Sequence, residues 1–166
     1  MLNNDLSQQI KRNFPYKPTE EQENAVKSFA EFLFSPSADS VFLMKGYAGT
    51  GKTTLTSALV RTLDSLQRKV ILLAPTGRAA KVFSGYAEHP AYTIHKKIYR
   101  QKVFSNETDN FVANQNLHRN TLFIVDEASM IANEGLSGGH FGSGRLLDDL
   151  VQYVYNGLGC RLMLIG

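Results

Sequence analysis

The stretch that decides the fold is Gly46-Tyr47-Ala48-Gly49-Thr50-Gly51-Lys52-Thr53. It follows the apolar run Val41–Met44 and leads into an amphipathic stretch that reaches about Leu66. A strand, a glycine-rich loop and a helix in this order form the context of a phosphate-binding P-loop. Glycines let backbone N–H groups close around phosphate oxygens, and the helix N-terminus adds unpaired donors. The sequence therefore predicts a nucleotide-binding loop.

The chemistry of this loop predicts ATP and Mg²⁺ as cofactors. Lys52 would reach the β- and γ-phosphates, and the Thr53 hydroxyl would ligate Mg²⁺. The alternative is a glycine turn with Lys52 on the surface, but the flanking strand and helix favour nucleotide binding. The residues of this region predicted to bind the cofactor are Gly46, Ala48, Gly49, Thr50, Gly51, Lys52, Thr53 and Thr54.

Length and composition restrict the class of protein. The 166 residues suit one α/β domain, and a net charge of +3 does not by itself demand a nucleic-acid partner. The single Cys160 excludes an internal disulfide and fits a reducing compartment. The polar N-terminus lacks a secretory signal, and no apolar run approaches a membrane span. We expect a cytoplasmic protein without a membrane partner.

Four apolar runs alternate with helical patterns along the chain. The runs cover 41–45, 70–74, 121–125 and 160–165. This alternation predicts an α/β fold in which a parallel sheet carries helices on both faces. In such a sheet ligands bind at the carboxyl ends of the strands. The P-loop and three other segments follow those ends: Pro75–Arg78, Asp126–Glu127 and Gly166.

Local signals set the expected helices and loops. Thr19 reads as an N-cap whose capping box is completed by Gln22, and Gly157 as a C-cap. A small hairpin is expected within 101–118, with strands at Val103-Phe104 and Phe111-Val112, and a glycine-rich loop over 135–144. The predicted helices are 2–14, one that starts at Thr19, 53–66, one capped by Thr76 that ends near Ser84, one capped by Thr93 that reaches Tyr99, and 145–155.

Asp126 and Glu127 end the third apolar run. An aspartate there can hold the Mg²⁺ shell, and the adjacent glutamate can orient or deprotonate an attacking water. The alternative is a pair of carboxylates that simply favour a helix start. The P-loop favours the catalytic interpretation, with Lys52, Asp126 and Glu127 as catalytic residues and Thr53 and Asp126 as metal ligands.

Several segments together resemble superfamily 1 DNA helicases of the 5′-to-3′ branch, the RecD-like and Dda-like group. Motif I of that family is similar to 46–53, motif Ia to 74–80, and motif II to 126–130. The short segment Thr93-Ile94-His95 resembles the motif before the hairpin insertion, and 162–166 resembles the opening of motif III. The resemblance implies a RecA-like fold with the fourth strand between the P-loop strand and the Asp126 strand.

The resemblance also implies roles for individual residues. Gln22 would hydrogen-bond the adenine edge, although its capping box is an alternative role, and the hairpin at 101–118 would split duplex DNA. The residues expected to contact single-stranded DNA are Pro75, Thr76, Gly77, Arg78, Thr93, His95 and Lys96. Six basic residues against the single acid Glu88 between Thr76 and Val103, with Tyr92 among them, agree with such a surface.

The resulting interpretation is the first motor domain, residues 1–166, of a longer ATP-dependent DNA helicase. The match stops inside motif III, so we expect a second motor domain to supply the arginines that reach the γ-phosphate, and this chain alone to hydrolyse ATP weakly. The resemblance suggests DNA repair or recombination as the setting and names no partner protein. Two alternatives remain open: a P-loop phosphotransferase acting on a small molecule, and a non-catalytic ATP-dependent binding module.

Overall fold

The computed structural model describes residues 2–46, 51–101, 111–131 and 143–166. Within these ranges a helix lies between each pair of successive strands of the main sheet, as the sequence predicts. The helices are α1 (Leu2–Arg12), α2 (Glu20–Leu33), α3 (Lys52–Ser65), α4 (Gly77–Ala87), α5 (Ile94–Ile98) and α6 (Leu146–Tyr155), with a 3₁₀ turn at Ala128–Met130. The strands are β1 (Val41–Met44), β2 (Lys69–Ala74), β3 (Ala91–Thr93), β4 (Tyr99–Gln101), β5 (Phe111–Ala113), β6 (Thr121–Val125) and β7 (Arg161–Ile165).

Five of these strands form a parallel sheet in the order β1-β7-β6-β2-β3. The fourth predicted strand, β7, lies between the P-loop strand β1 and the Asp126 strand β6, so the expected strand order is confirmed. Strand β3 was not predicted. It has only three residues, and it exists because Ala91–Thr93 pairs with Leu72–Ala74 at the edge of the sheet.

Helices cover both faces of the sheet, which confirms the predicted α/β fold. Helices α1 to α4 pack on one face, where Phe29, Leu59 and Phe83 are almost fully buried. Helices α5 and α6 pack on the other. Strand β6 runs through the middle, and all five of its residues are buried. Its alternate side chains enter the two cores, which explains why its sequence is apolar without alternation.

The helix starts follow local capping chemistry. Thr19 and Gln22 form the predicted capping box, and the hydroxyls of Thr76 and Thr93 cap α4 and α5. The predicted ends are less accurate. Helix α4 continues past Ser84 to Ala87. Helix α6 ends at Tyr155 and its C-cap is Asn156, so Gly157 is not the C-cap that the sequence predicts.

A two-stranded antiparallel sheet lies beside the main one. It pairs β4 with β5, whereas residues 103 and 104, predicted as its first strand, lie outside the described residues, as does most of the glycine-rich stretch 135–144. Its base is tied to α6 by the Tyr99 hydroxyl, which donates to the buried Asp149 carboxylate at 2.6 Å. The Asn116 amide donates to the carbonyls of Tyr153 and Val154.

None of the described helices combines the length and the apolar character that crossing a membrane requires.

Candidate functional site

The segments that the sequence singles out lie along one edge of the parallel sheet. In sheet order the strands end at Met44, Ile165, Val125, Ala74 and Thr93. Because neighbouring strands lie about 4.8 Å apart, the P-loop strand and the Asp126 strand are separated by roughly 10 Å across β7. This gap leaves room for a ligand between the two segments.

The described part of the P-loop leads directly into α3. Gly51 has a φ of +84°, a conformation that favours glycine, and Lys52 begins the helix. The Lys52 ammonium donates to the carbonyl oxygen of Gly166 at 2.5 Å, and the Gly166 N–H donates to the Met44 carbonyl at 3.0 Å. The lysine therefore extends across the end of β7, towards the Asp126 side of the gap. Ala48, Gly49 and Thr50 lie outside the described residues.

The gap is a cleft of about 870 Å³. It brings together residues from the P-loop, from the end of β6 and from α4, although these segments are far apart in the sequence. The residues that line it are Gly46, Gly51, Lys52, Thr53, Thr56, Val82, Tyr86, Asp126, Glu127, Ser129, Ile165 and Gly166. All three predicted catalytic residues and both predicted metal ligands are among them.

Both oxygens of the Asp126 carboxylate are held by hydrogen bonds. The Tyr86 hydroxyl donates to Oδ2 at 2.6 Å, and the Glu127 N–H donates to Oδ1 at 2.8 Å. The Asp126 N–H itself donates to the Leu73 carbonyl at 3.0 Å, which continues the ladder between β6 and β2. Burial and the neighbouring Asp126 carboxylate raise the pKa of Tyr86 far above its usual value, so this phenol remains a donor.

Glu127 has a φ of +54°, an unusual conformation for a residue other than glycine. Its side chain is exposed in the cleft, and its carbonyl accepts from the Met130 N–H at 3.0 Å. Backbone conformations of this kind cost on the order of 1–3 kcal/mol and cluster at functional sites. The left-handed residue follows Asp126 directly, so the backbone turns sharply between the Asp126 and Glu127 carboxylates just after the end of β6.

The donor set in the cleft suits a hard cation. Thr53 offers a hydroxyl oxygen and Asp126 a carboxylate oxygen, and Mg²⁺ prefers a few oxygen ligands while keeping several waters. Among the described residues, no three His, Cys, Asp or Glu side chains form a metal-binding group. The residues present therefore fit Mg²⁺ held together with a nucleotide, rather than a metal caged by protein alone.

A second cleft of about 310 Å³ adjoins the first and shares Gly46, Gly51 and Lys52 with it. Gln22 lines this cleft, and its side chain joins α2 to the P-loop. Its Oε1 accepts from the Thr19 N–H at 2.9 Å, and its Nε2 donates to the Gly51 carbonyl at 3.3 Å. The capping box is therefore present, and the same amide lies beside the P-loop.

The predicted nucleic-acid residues follow β2 and β3, next to Asp126 along the same edge. Ala74 and Thr93 are partners in the ladder, so the two segments start side by side. The hydroxyls of Thr76 and Thr93 accept from the N–H groups of Ala79 and Lys96, both at 3.1 Å. Thr76, Gly77, Arg78 and Lys96 are exposed, whereas Pro75, Thr93 and His95 are half-buried.

Charge and aromatic surface meet at this end of the sheet. The ammonium groups of Lys96 and Lys97 lie 5.9 and 6.0 Å from the centre of the Tyr92 ring, which is 40% exposed. Burial lowers the pKa of His95, so the imidazole favours its neutral form. The cationic contribution here therefore comes from the lysines and Arg78, and His95 offers a neutral ring.

Sequence reasoning missed two features of the site. Tyr86 contacts Asp126 from forty positions away in the chain, and the only signal in the sequence is that Val82 and Tyr86 share one face of α4 at helical spacing. Glu21 and Ala25 join Gln22 in the smaller cleft because they lie on the same side of α2.

A parallel sheet whose P-loop strand is separated by one strand from a strand ending in Asp-Glu defines a RecA-like P-loop NTPase. Residues 17–138 match the family described as an AAA domain, and the chain belongs to this family. A helicase among its relatives supports the predicted resemblance to superfamily 1 motor domains.

Three relatives are similar to parts of this chain. The chain is 32% identical over 107 residues to the multifunctional conjugation protein TraI of Escherichia coli, covering 60% of this chain and 6% of TraI. It is 37% identical over 90 residues to the ATP-dependent DNA helicase dda of Enterobacteria phage T4, covering 52% and 20%. An uncharacterized protein of Methanocaldococcus jannaschii is 28% identical over 139 residues, covering 77% and 11%. The chain thus spans at most a fifth of the length of these relatives.

Proposed function

We propose that this chain binds ATP with Mg²⁺ and hydrolyses it with water, as the first motor domain of a helicase that moves on single-stranded DNA. The observation that carries the proposal is that Lys52 and Thr53 of the P-loop share one cleft with the Asp126–Glu127 pair. The names of the relatives support it, since one is an ATP-dependent DNA helicase. The buried, unpaired thiol of Cys160 is compatible with a cytoplasmic setting.

Each side chain in the cleft has a distinct part in this proposal. Lys52 would exchange its present acceptor, the Gly166 carbonyl, for phosphate oxygens. Thr53 and Asp126 would hold Mg²⁺, which when bound neutralises charge on the phosphates. Glu127, exposed at the end of β6, would accept a proton from the attacking water. The smaller cleft beside Gln22 would take the adenine.

The neighbouring edge supplies the DNA contact. Thr76 and Arg78 are exposed at the N-terminus of α4, where helix N–H groups favour phosphate. Lys96 adds charge, and Tyr92 offers a face on which a base can stack. Phosphate contacts and stacking do not read the edges of the bases, so they allow movement along any sequence. The pairing of β4 with β5 is compatible with a small hairpin that parts duplex DNA.

The test separates binding from hydrolysis. Lys52→Ala should weaken ATP binding in calorimetry by at least about tenfold, because a charge-assisted contact is worth roughly 1.5–3 kcal/mol. Glu127→Gln should bind ATP normally but fail to cleave it in a single-turnover assay. Glu88→Gln is the matched control, because Glu88 is also exposed with a positive φ and lies outside the cleft.

Single-stranded DNA then distinguishes the enzyme classes. An oligonucleotide should stimulate hydrolysis by the wild-type chain, and the Arg78→Ala, Lys96→Ala double variant should lose that stimulation. Cleavage by Glu127→Gln at the wild-type rate would contradict the catalytic assignment of Glu127, whereas ATP binding without cleavage by the wild-type chain would favour a binding module. Transfer of phosphate to a small acceptor without a DNA effect would favour a phosphotransferase.

A further inference from the structure

The Tyr86 side chain connects α4 to the strongest candidate metal ligand. Its hydroxyl donates to Asp126 Oδ2 at 2.6 Å, and the residue lines the same cleft as Lys52 and Thr53. A short bond from a neutral donor to a carboxylate is among the stronger hydrogen bonds in proteins. Tyr86 therefore acts on the orientation of Asp126, whatever else the cleft holds.

The phenol is itself held in place from two directions. Its ring stacks on the fully buried ring of Phe83, with centroids 5.3 Å apart and planes at 27°. Its backbone carbonyl accepts from the Ser57 hydroxyl at 3.2 Å, and Ser57 lies on the helix that the P-loop begins. The position of the Tyr86 hydroxyl is thus set by both α3 and α4.

The two hydrogen bonds to the Asp126 carboxylate leave it able to bind a cation. A carboxylate oxygen can accept at about two lone-pair sites. One site on Oδ2 is taken by Tyr86, and one on Oδ1 by the Glu127 N–H. No other donor among the described residues contacts either oxygen, so one site on each can receive a further ligand. Rotation of the carboxylate is opposed by a donor at each end. Mg²⁺ demands near-octahedral geometry, so a fixed carboxylate plane matters more for it than for a flexible cation.

We infer that Tyr86 is a positioning residue for Asp126, which fixes the carboxylate in the orientation that receives a divalent cation bound with nucleotide. The inference rests on the proposed function, because it requires the cleft to hold Mg²⁺ and ATP. The inference also goes beyond the proposed function, because it gives a residue of α4, outside the P-loop and the acidic pair, an effect on the affinity for the metal. Outer hydrogen-bond partners of metal ligands typically change metal affinity by about 10- to 100-fold when they are removed.

The experiment measures binding rather than turnover. A fluorescent N-methylanthraniloyl ATP is titrated into the wild-type chain and into Tyr86→Phe, first in EDTA and then across a Mg²⁺ series. Tyr86→Phe should need about tenfold more Mg²⁺ to reach half of the maximal increase in affinity for the fluorescent ATP. In EDTA, its affinity for the fluorescent ATP should equal that of the wild-type chain. Phenylalanine keeps the ring stacked on Phe83, and a melting curve checks that the fold is retained.

Tyr99→Phe is the matched control. Tyr99 also donates to a carboxylate at 2.6 Å, that of Asp149, but it packs with α6 on the other face of the sheet. It should leave the Mg²⁺ dependence unchanged. In an Asp126→Asn background, Tyr86→Phe should add no further loss, since the two residues would act through one carboxylate.

The outcomes separate this inference from the proposed function. An unchanged Mg²⁺ requirement in Tyr86→Phe, or an equal loss of affinity in EDTA and in Mg²⁺, would overturn the positioning role alone. A further loss from Tyr86→Phe in the Asp126→Asn background would overturn it as well. A wild-type chain that binds no nucleotide, or that binds it with no effect of Mg²⁺, would overturn the proposed function and this inference together.

Discussion

Replacing Gln22 by alanine separates two roles that meet in one side chain. The residue is 4% exposed, and its amide bonds to Thr19 and to Gly51 and also interacts with the Tyr16 side chain. A glutamine oxygen has a second lone pair and its nitrogen a second hydrogen. Gln22 can therefore cap α2 and still offer an acceptor to a base in the adjoining cleft, and a donor as well if the base replaces Tyr16 as the partner of the amide.

The expected losses differ for the two roles. A net hydrogen bond contributes about 0.5–1.5 kcal/mol. Gln22→Ala removes two, one of them long at 3.3 Å, so the free energy of unfolding should fall by about 1.5 kcal/mol. Thr19→Ala removes only the acceptor of the Gln22 N–H and should cost about 1 kcal/mol. If the amide also makes two bonds to adenine, Gln22→Ala should weaken ATP binding by roughly 30-fold.

Calorimetric titration with ATP and GTP, alongside urea unfolding, checks this. We expect both variants to be less stable, but only Gln22→Ala to lose affinity for ATP and its preference over GTP. Thr19→Ala serves as the control because it disturbs the same cap without touching the cleft. If Gln22→Ala and Thr19→Ala bind ATP equally well, the amide is purely structural and the assignment of the smaller cleft to adenine is wrong.

Two further predictions concern stability. Asp149→Ala should lower the unfolding free energy by about 3 kcal/mol, because a buried carboxylate that accepts from Tyr99 and twice from Ser143 is lost; the exposed Asp148→Ala is its control in urea unfolding, and equal effects would contradict the role of the network. Burial lowers the pKa of both His95 and His118, with Lys97 and Lys69 adding to the effect at His118. The unfolded chain therefore binds more protons, so stability should be fully present above the ordinary histidine pKa of about 6.5 and fall as the pH drops below it. Urea midpoints between pH 8 and pH 5 check this, and His118→Asn should show a smaller fall; an equal fall would contradict it.

The elements that could be predicted are those fixed by local chemistry. Thr19, Thr76 and Thr93 each accept from a backbone N–H three residues later, so their side chains mark helix starts without reference to the rest of the fold. The central strands could be predicted because a run such as Thr121–Val125 is buried on both faces. The acidic pair and the P-loop could then be placed at one edge of the sheet.

The remaining features depend on partners distant in the sequence. Strand β3 has no apolar run of its own and is defined by pairing with β2. Gly157 is predicted as the C-cap of α6, but Asn156 is the C-cap, and the glycine with a left-handed conformation in this loop is Gly159, with a φ of +70°. A Cβ at Gly159 would lie 2.2 Å from the Asn120 side chain, a contact that no local pattern reveals. The hydrogen bond between Tyr86 and Asp126 likewise joins residues that are distant in the sequence, so no local pattern predicts it.

Helix α4 begins at the segment proposed to contact DNA and ends beside the cleft that holds Asp126. Thr76 caps its first turn and Tyr86 lies in its last, ten residues and about 15 Å along the axis. A strand of DNA that tilts this helix at Thr76 would shift the phenol against Asp126, and a cation that draws on Asp126 would shift the helix in return. By thermodynamic linkage, any factor by which DNA changes the affinity for the metal–nucleotide complex is the factor by which that complex changes the affinity for DNA. A motor needs such coupling between DNA binding and nucleotide binding, and here a single helix of 11 residues would provide it.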